Sequence, residues 1–335
     1  MAKAFPKLTR RLFLGACVAM GSSALLVGKT GPQVRSVPPR SMRGKVVSVH
    51  DPRMAVLHGE EKKQLLYGWL TKALESLTGE GGKRAWGALF SPQDRVAIKV
   101  NAMGGPRIAV HPELAAALVQ GIMEAGVAGR NILIWDRTTR ELQQAGYVIR
   151  EDGDGPLCMG TDRWGYEPAP MVHGSIGSCF SRILTRWATV LVNVSVLKDH
   201  DLSGVSLSMK NLFGVIHNPN KYHDRGCAPY LVDLLDHPQV RGKLRLAICD
   251  GARAQCHGGP SYSPRWVWPL GKLLVSADPV ALDRIGESLI AARRRELGLP
   301  SLEEEGRGPS HILMATHRGL GQGLLDAIEV RHLEA

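Results

Sequence analysis

Short runs of β-branched residues alternate with longer segments of helical apolar spacing over most of the chain, and this alternation is the strongest constraint on its fold. The strand-like runs lie at 46–49, 95–100, 132–135, 189–196, 244–249, 272–275 and 327–330. Helix-like segments lie at 60–77, 112–125, 205–216, 229–236 and 279–296. The last of these has Asp278 placed as its cap, Pro279 at its first position and Arg293-Arg294-Arg295 near its end, where positive charge suits the helix dipole. Strand–helix–strand order predicts an α/β fold, a mostly parallel sheet flanked by helices on both faces. In such sheets ligands gather on the loops at the carboxyl ends of strands.

Charge invites a different reading and then withdraws it. Lys and Arg number 42 against 31 Asp and Glu, a net charge of +11 in 335 residues. Lys3, Lys7, Arg10, Arg11 and Lys29 supply five of these charges within residues 1–30, which hold no acid, leaving +6 for the rest. The basic start precedes an apolar run from Leu12 to Gly28, the architecture of a signal peptide. Thr9-Arg10-Arg11-Leu12-Phe13-Leu14 matches the twin-arginine pattern, an address for export of folded proteins. The expectation is a periplasmic or exported protein that meets the twin-arginine machinery. It touches the membrane only through residues 1–30, as a cleaved signal or as an anchor. A Pro-rich linker at 31–44 and one α/β domain at 45–335 follow. The remaining basic residues are dispersed and lack interleaved aromatics, so a nucleic-acid partner is not expected.

Five strand ends carry polar groups beside flexible turns. Lys99 and Asn101 follow one strand, and Asp136 and Arg137 another. A third leads into Lys198, Asp199 and His200 and then Lys210-Asn211. Asp250-Gly251 and Asp278-Pro279 close the set. Asp136, Asp250 and Asp278 each fit a turn or helix cap as well as a site. Lys99 and Lys210 stand in apolar surroundings, where a lysine calls for a buried partner or an anionic ligand. Lys99, Asn101, Asp136, Lys210 and Asn211 are therefore candidates to bind an anionic small molecule. His200 is the candidate acid–base group, with Lys198 and Asp250 beside it. No G-x-S-x-G follows a strand, and no dinucleotide or P-loop fingerprint is present.

The loop His217-Asn-Pro-Asn-Lys-Tyr-His223-Asp-Arg-Gly-Cys227, with Cys256 and His257 later in the chain, offers imidazole and thiol groups suited to a transition metal. No C-x-x-C occurs, so a zinc ribbon or a self-contained ferredoxin cluster does not fit. A Cys227–Cys256 disulfide and ordinary loop residues are the alternatives. With Cys17 set aside, five cysteines remain, so at least one is unpaired within the chain.

The set Lys99-Val-Asn101, Asp136-Arg137, Lys198-Asp-His200, Met209-Lys210-Asn211-Leu212-Phe213-Gly214, Asp250-Gly251, Gly259-Pro260 and Asp278-Pro-Val-Ala-Leu-Asp283 resembles the family known as domain of unknown function 362. The resemblance spans roughly residues 96–328, and its most specific piece is Lys-Asn-Leu-Phe-Gly with Lys-x-His upstream. It implies an α/β domain, often found beside iron–sulfur ferredoxin modules and in exported forms, and brings no reaction. The functional expectation is an exported metal- or cofactor-dependent protein, an oxidoreductase whose cofactor is a transition metal or a cluster shared with a redox partner protein. The alternative is a non-catalytic binding module for an anionic ligand or a redox partner.

Overall fold

The computed structural model describes residues 40–335, which belong to one compact unit. The expected export signal and most of the expected linker lie outside the described residues. The strands are β1 (Lys45–His50), β2 (Val96–Lys99), β3 (Ile132–Asp136), β4 (Leu157–Gly160), β5 (Met171–His173), β6 (Ile176–Ser178), β7 (Val190–His200), β8 (Gly204–Ser206), β9 (Leu244–Gln255), β10 (Val267–Trp268), β11 (Lys272–Ser276) and β12 (Glu329–Glu334). Ten of them form one sheet in the order β12-β1-β11-β9-β7-β2-β3-β4, with β8 beside β7 and β10 beside β9. From β9 to β4 every neighbour is parallel, and β11 enters antiparallel between β9 and β1. Strands β5 and β6 form a separate hairpin.

Strand alternation divides the core in two. Val96 and Ile98 of β2, and Val190, Val192, Val194 and Val196 of β7, pack on one face against helices Gly59–Thr78, Lys83–Leu89 and Pro112–Glu124. Ala97 and Leu191 point to the other face, under helices Tyr230–Asp236, Pro279–Glu296 and Ser310–His317. The structure is thus α/β with helices on both faces, as the alternation requires. Among the described residues no helix is long and apolar enough to cross a membrane.

Strands β5, β6 and β10 add to the expected set, β12 begins at Glu329 rather than at 327, and two further differences have a clear physical reason. Segment 205–216 is not one helix: Gly204–Ser206 pairs with β7, Ser208–Asn211 makes a single helical turn, and Leu212–Val215 is 3-10. The apolar spacing there reflects burial on several sides. Strand β4 escapes a β-branched search because Leu-Cys-Met-Gly contains no such residue.

The domain is closed by Asp278. Its Oδ1 accepts from Val280 and Ala281 N–H at 3.0 Å, capping helix Pro279–Glu296 as expected. Its Oδ2 accepts from Gly44 N–H at 3.0 Å and Gln322 N–H at 2.9 Å, joining the two ends of the domain. Asp278→Ala orphans four donors, three of them in buried contacts. It should destabilise the domain by about 3 kcal/mol, more than a helix cap alone, with Asp278→Asn intermediate, as read by urea unfolding. A loss below about 1 kcal/mol would contradict this role.

Candidate functional site

The carboxyl ends of β2, β3 and β7 surround a cavity of about 290 Å³. Its lining includes Lys99, Asn101, Asp136, Arg137, His200, Lys210, Asn211, Phe213, Gly214 and His223. Its position is the one an open parallel sheet reserves for ligands.

The floor is a buried ion pair. Lys99 Nζ lies 2.6 Å from Asp136 Oδ1 and donates to Val100 O at 2.7 Å and Asn211 Oδ1 at 3.0 Å, so its three N–H groups all have acceptors. The Asp136 carboxylate also receives Ala102 N–H and Arg137 N–H, both at 2.7 Å. Asn211 then ties this pair to β7, donating to Asn193 Oδ1 at 2.7 Å and Val194 O at 3.0 Å. Asn193 in turn donates to Ser208 O and Oγ at 2.8 Å.

The turn carrying Lys210 and Asn211 is held from below by Asp283. This carboxylate accepts from Ser208 N–H at 2.7 Å and Met209 N–H at 2.8 Å. Burial pushes its pKa up to about 8, against the two N–H groups that favour the charged form. Gly214 follows because no side chain fits: a Cβ there would lie 2.4 Å from Lys99 Cε and 2.6 Å from Lys99 Nζ. The Lys-Asn-Leu-Phe-Gly block is therefore one device, with Asn211 and Gly214 both shaped to Lys99.

Three lysines meet here in different electrostatic states. Lys99 has the Asp136 carboxylate as its partner. Lys198 is fully buried and donates only to neutral oxygens, Asn101 Oδ1 at 3.3 Å, Met103 O at 2.9 Å and Ile108 O at 3.4 Å. Burial pulls its pKa down to about 8. Lys210 contacts His223 Nε2 at 3.0 Å and lies over the Phe213 ring, 4.5 Å from its centroid. Burial pulls it down to about 8 as well, opposed by Cys227 and the exposed Asp201.

His223 Nδ1 lies 3.1 Å from the carbonyl of Pro219, which requires the proton on Nδ1 and leaves Nε2 with a lone pair toward Lys210. Burial and the Lys210 charge lower its pKa. His200 stacks on His223, ring centroids 5.7 Å apart. Its Nδ1 receives Leu202 N–H at 3.1 Å and Ser203 N–H at 3.4 Å; backbone donors cannot swing away as the exposed Asp201 carboxylate can, so the proton is assigned to Nε2. Burial and the neighbouring cations bring His200 down to about 2, which keeps it neutral.

Of the residues expected at the site, Lys99, Asn101, Asp136, His200, Lys210, Asn211 and His223 line the cavity, and Lys198 supports it through Asn101. Asp250 does not reach it. It faces the opposite side of the sheet, where His111 Nδ1 is 2.7 Å away; burial raises its pKa, but His111 and Lys62 outweigh that and leave it at about 2. The candidate metal ligands are dispersed. His217 packs edge-on against Tyr166, Cys227 is buried beside Lys210, Cys256 Sγ lies 3.7 Å from Trp266 O, and His257 is held by Arg294 and Arg307. Among the described residues no three His, Cys, Asp or Glu side chains are grouped so as to hold a metal ion. All five described cysteines are unpaired, Cys227 and Cys256 included. Arg137, Glu141 and Phe213 line the cavity beyond the expected ligand groups, and the sequence signal for Arg137 is its place next to Asp136.

The pair is testable. Asp136→Asn leaves the Lys99 charge buried without a counter-charge and should cost about 3–5 kcal/mol by urea unfolding. Gly214→Ala should destabilise by displacing the same ammonium, and Lys99→Met with Asp136→Leu should recover most of the loss. An Asp136→Asn protein within about 1 kcal/mol of the parent would refute the pair's role.

Residues 96–287 match the family described as Domain of unknown function (DUF362). No curated protein and no solved structure matches the chain.

Proposed function

The chain belongs to the domain of unknown function 362 family, and we propose that it binds a small anionic molecule in the cavity under Lys210. One observation carries this reading. The Lys210 ammonium is buried yet has a single acceptor among the described residues, His223 Nε2, for its three N–H groups. A buried charge without a carboxylate partner is costly, and an anion in the cavity would offset that cost while accepting the two remaining N–H groups. Arg137 also lines the cavity, paired there with Glu141 at 3.4 Å. A cavity of about 290 Å³ suits a small metabolite-sized ligand. The reading gives no role to a metal or to a redox partner. We further propose that the protein works outside the cytoplasm, on the Arg10-Arg11 pattern.

Sulfate keeps its charge across the relevant pH range and is a suitable probe. Saturating sulfate should raise the melting temperature, by the equivalent of about 2.7 kcal/mol at a hundredfold excess over Kd, and Lys210→Met should abolish the rise. An anion favours the charged amine. Affinity should therefore hold below pH 8 and fall about tenfold per pH unit above it, with proton uptake on binding near pH 8 by calorimetry. A sulfate response unchanged in Lys210→Met would refute the reading. Separately, residues 1–44 fused to a reporter should direct its export, and Arg10→Lys with Arg11→Lys should stop it; unimpaired export of that variant would refute the twin-arginine assignment.

A further inference from the structure

The three lysines differ in a way that bears on chemistry as well as on binding. Lys99 is paired with Asp136, and Lys198 spends its three N–H groups on Asn101, Met103 and Ile108. Only Lys210 lines the cavity with N–H groups to spare and has a base in contact, the Nε2 lone pair of His223 at 3.0 Å. Behind it stand the Cys227 thiol, raised by burial, and His311, lowered by burial to about 3, neither of them a carboxylate. The facing carboxylate, Asp201, is exposed.

We propose that Lys210 is a nucleophilic amine that forms a Schiff base with a small aldehyde or ketone carrying an anionic group, with His223 moving the proton. The inference rests on the anion-binding reading and names the substrate class of the same site. A lysine nucleophile requires an amine that can be neutral near physiological pH, a neighbouring base and access to the substrate. The lowered pKa of Lys210 agrees with the first requirement.

The step balances without a further reagent. The Lys210 ammonium gives one proton to His223 Nε2, and the free amine adds to the carbonyl carbon as the C–O π bond breaks. A proton passes from nitrogen to the new alkoxide, giving a neutral carbinolamine. His223 Nε2–H then protonates the hydroxyl, which leaves as water while the C=N bond forms. One ammonium and one carbonyl become one protonated imine and one water, with no oxidant or reductant. The Pro219 carbonyl holds the His223 ring so that Nε2, not Nδ1, makes both transfers.

Glyoxylate is the probe, reduced onto the protein with borohydride and located by peptide mass mapping. The expected result is labelling of Lys210 at glyoxylate concentrations at least tenfold below those that label the exposed Lys83 and Lys221, with sulfate protecting it. Lys210→Arg, with folding checked by its melting temperature, should lose that label. His223→Gln should label Lys210 at least tenfold more slowly and flatten the pH dependence of the labelling rate, which a merely structural loss would not do. Labelling spread over Lys83 and Lys221 with Lys210 unmodified, while sulfate still raises the melting temperature, overturns the Schiff-base step and leaves the binding reading standing. Labelling of Lys210 without any sulfate effect supports the step and overturns the anion requirement. Neither labelling nor a sulfate effect overturns both.

Discussion

The buried ion pair between Lys99 and Asp136 is the contact on which the site depends. An ammonium and a carboxylate inside a sheet are each expensive to desolvate, and they persist only where hydrogen bonds satisfy what the pair leaves over. Here they do. Lys99 has acceptors for all three N–H groups, and Asp136 receives two backbone donors besides. The pair joins the ends of β2 and β3, and Asn211 joins it to β7. The turn that carries Lys210 thus inherits its position from a charge pair it does not belong to.

That arrangement separates a cation with a carboxylate partner from one without. Lys99 cannot leave Asp136 without exposing a buried charge. Lys210, one residue before Asn211, is fixed by the same network yet has no carboxylate of its own. Asp283 supports the turn on one side and Gly214 leaves room on the other. The network so fixes Lys210 at the cavity wall, with His223 Nε2 as its acceptor.

Much of this was legible in the sequence, for a physical reason. Parallel α/β sheets place ligand groups at strand ends, so Lys99, Asn101, Asp136, Lys198 and His200 stand out by strand position, and Lys210 with Asn211 by a lysine in apolar surroundings. Asp250 failed the same rule because strand residues alternate between faces. Leu246, Ile248 and Ala252 point to the first core and carry Asp250 with them, away from the cavity. The His and Cys loop was read by composition, and composition does not fix direction: only His223 of that set lines the cavity. The tautomer of His223 and the unmatched state of Lys210 depend on contacts between segments far apart in the chain, which spacing does not encode.

The central claim is that Lys210 is a buried, depressed amine awaiting an anion, and its own titration tests it. In protein labelled with nitrogen-15 at lysine Nζ, with Lys210→Arg to assign the signal, Lys210 should titrate near pH 8 and move upward when sulfate is added. A midpoint near the ordinary lysine value of about 10.4, unmoved by sulfate, would contradict the account.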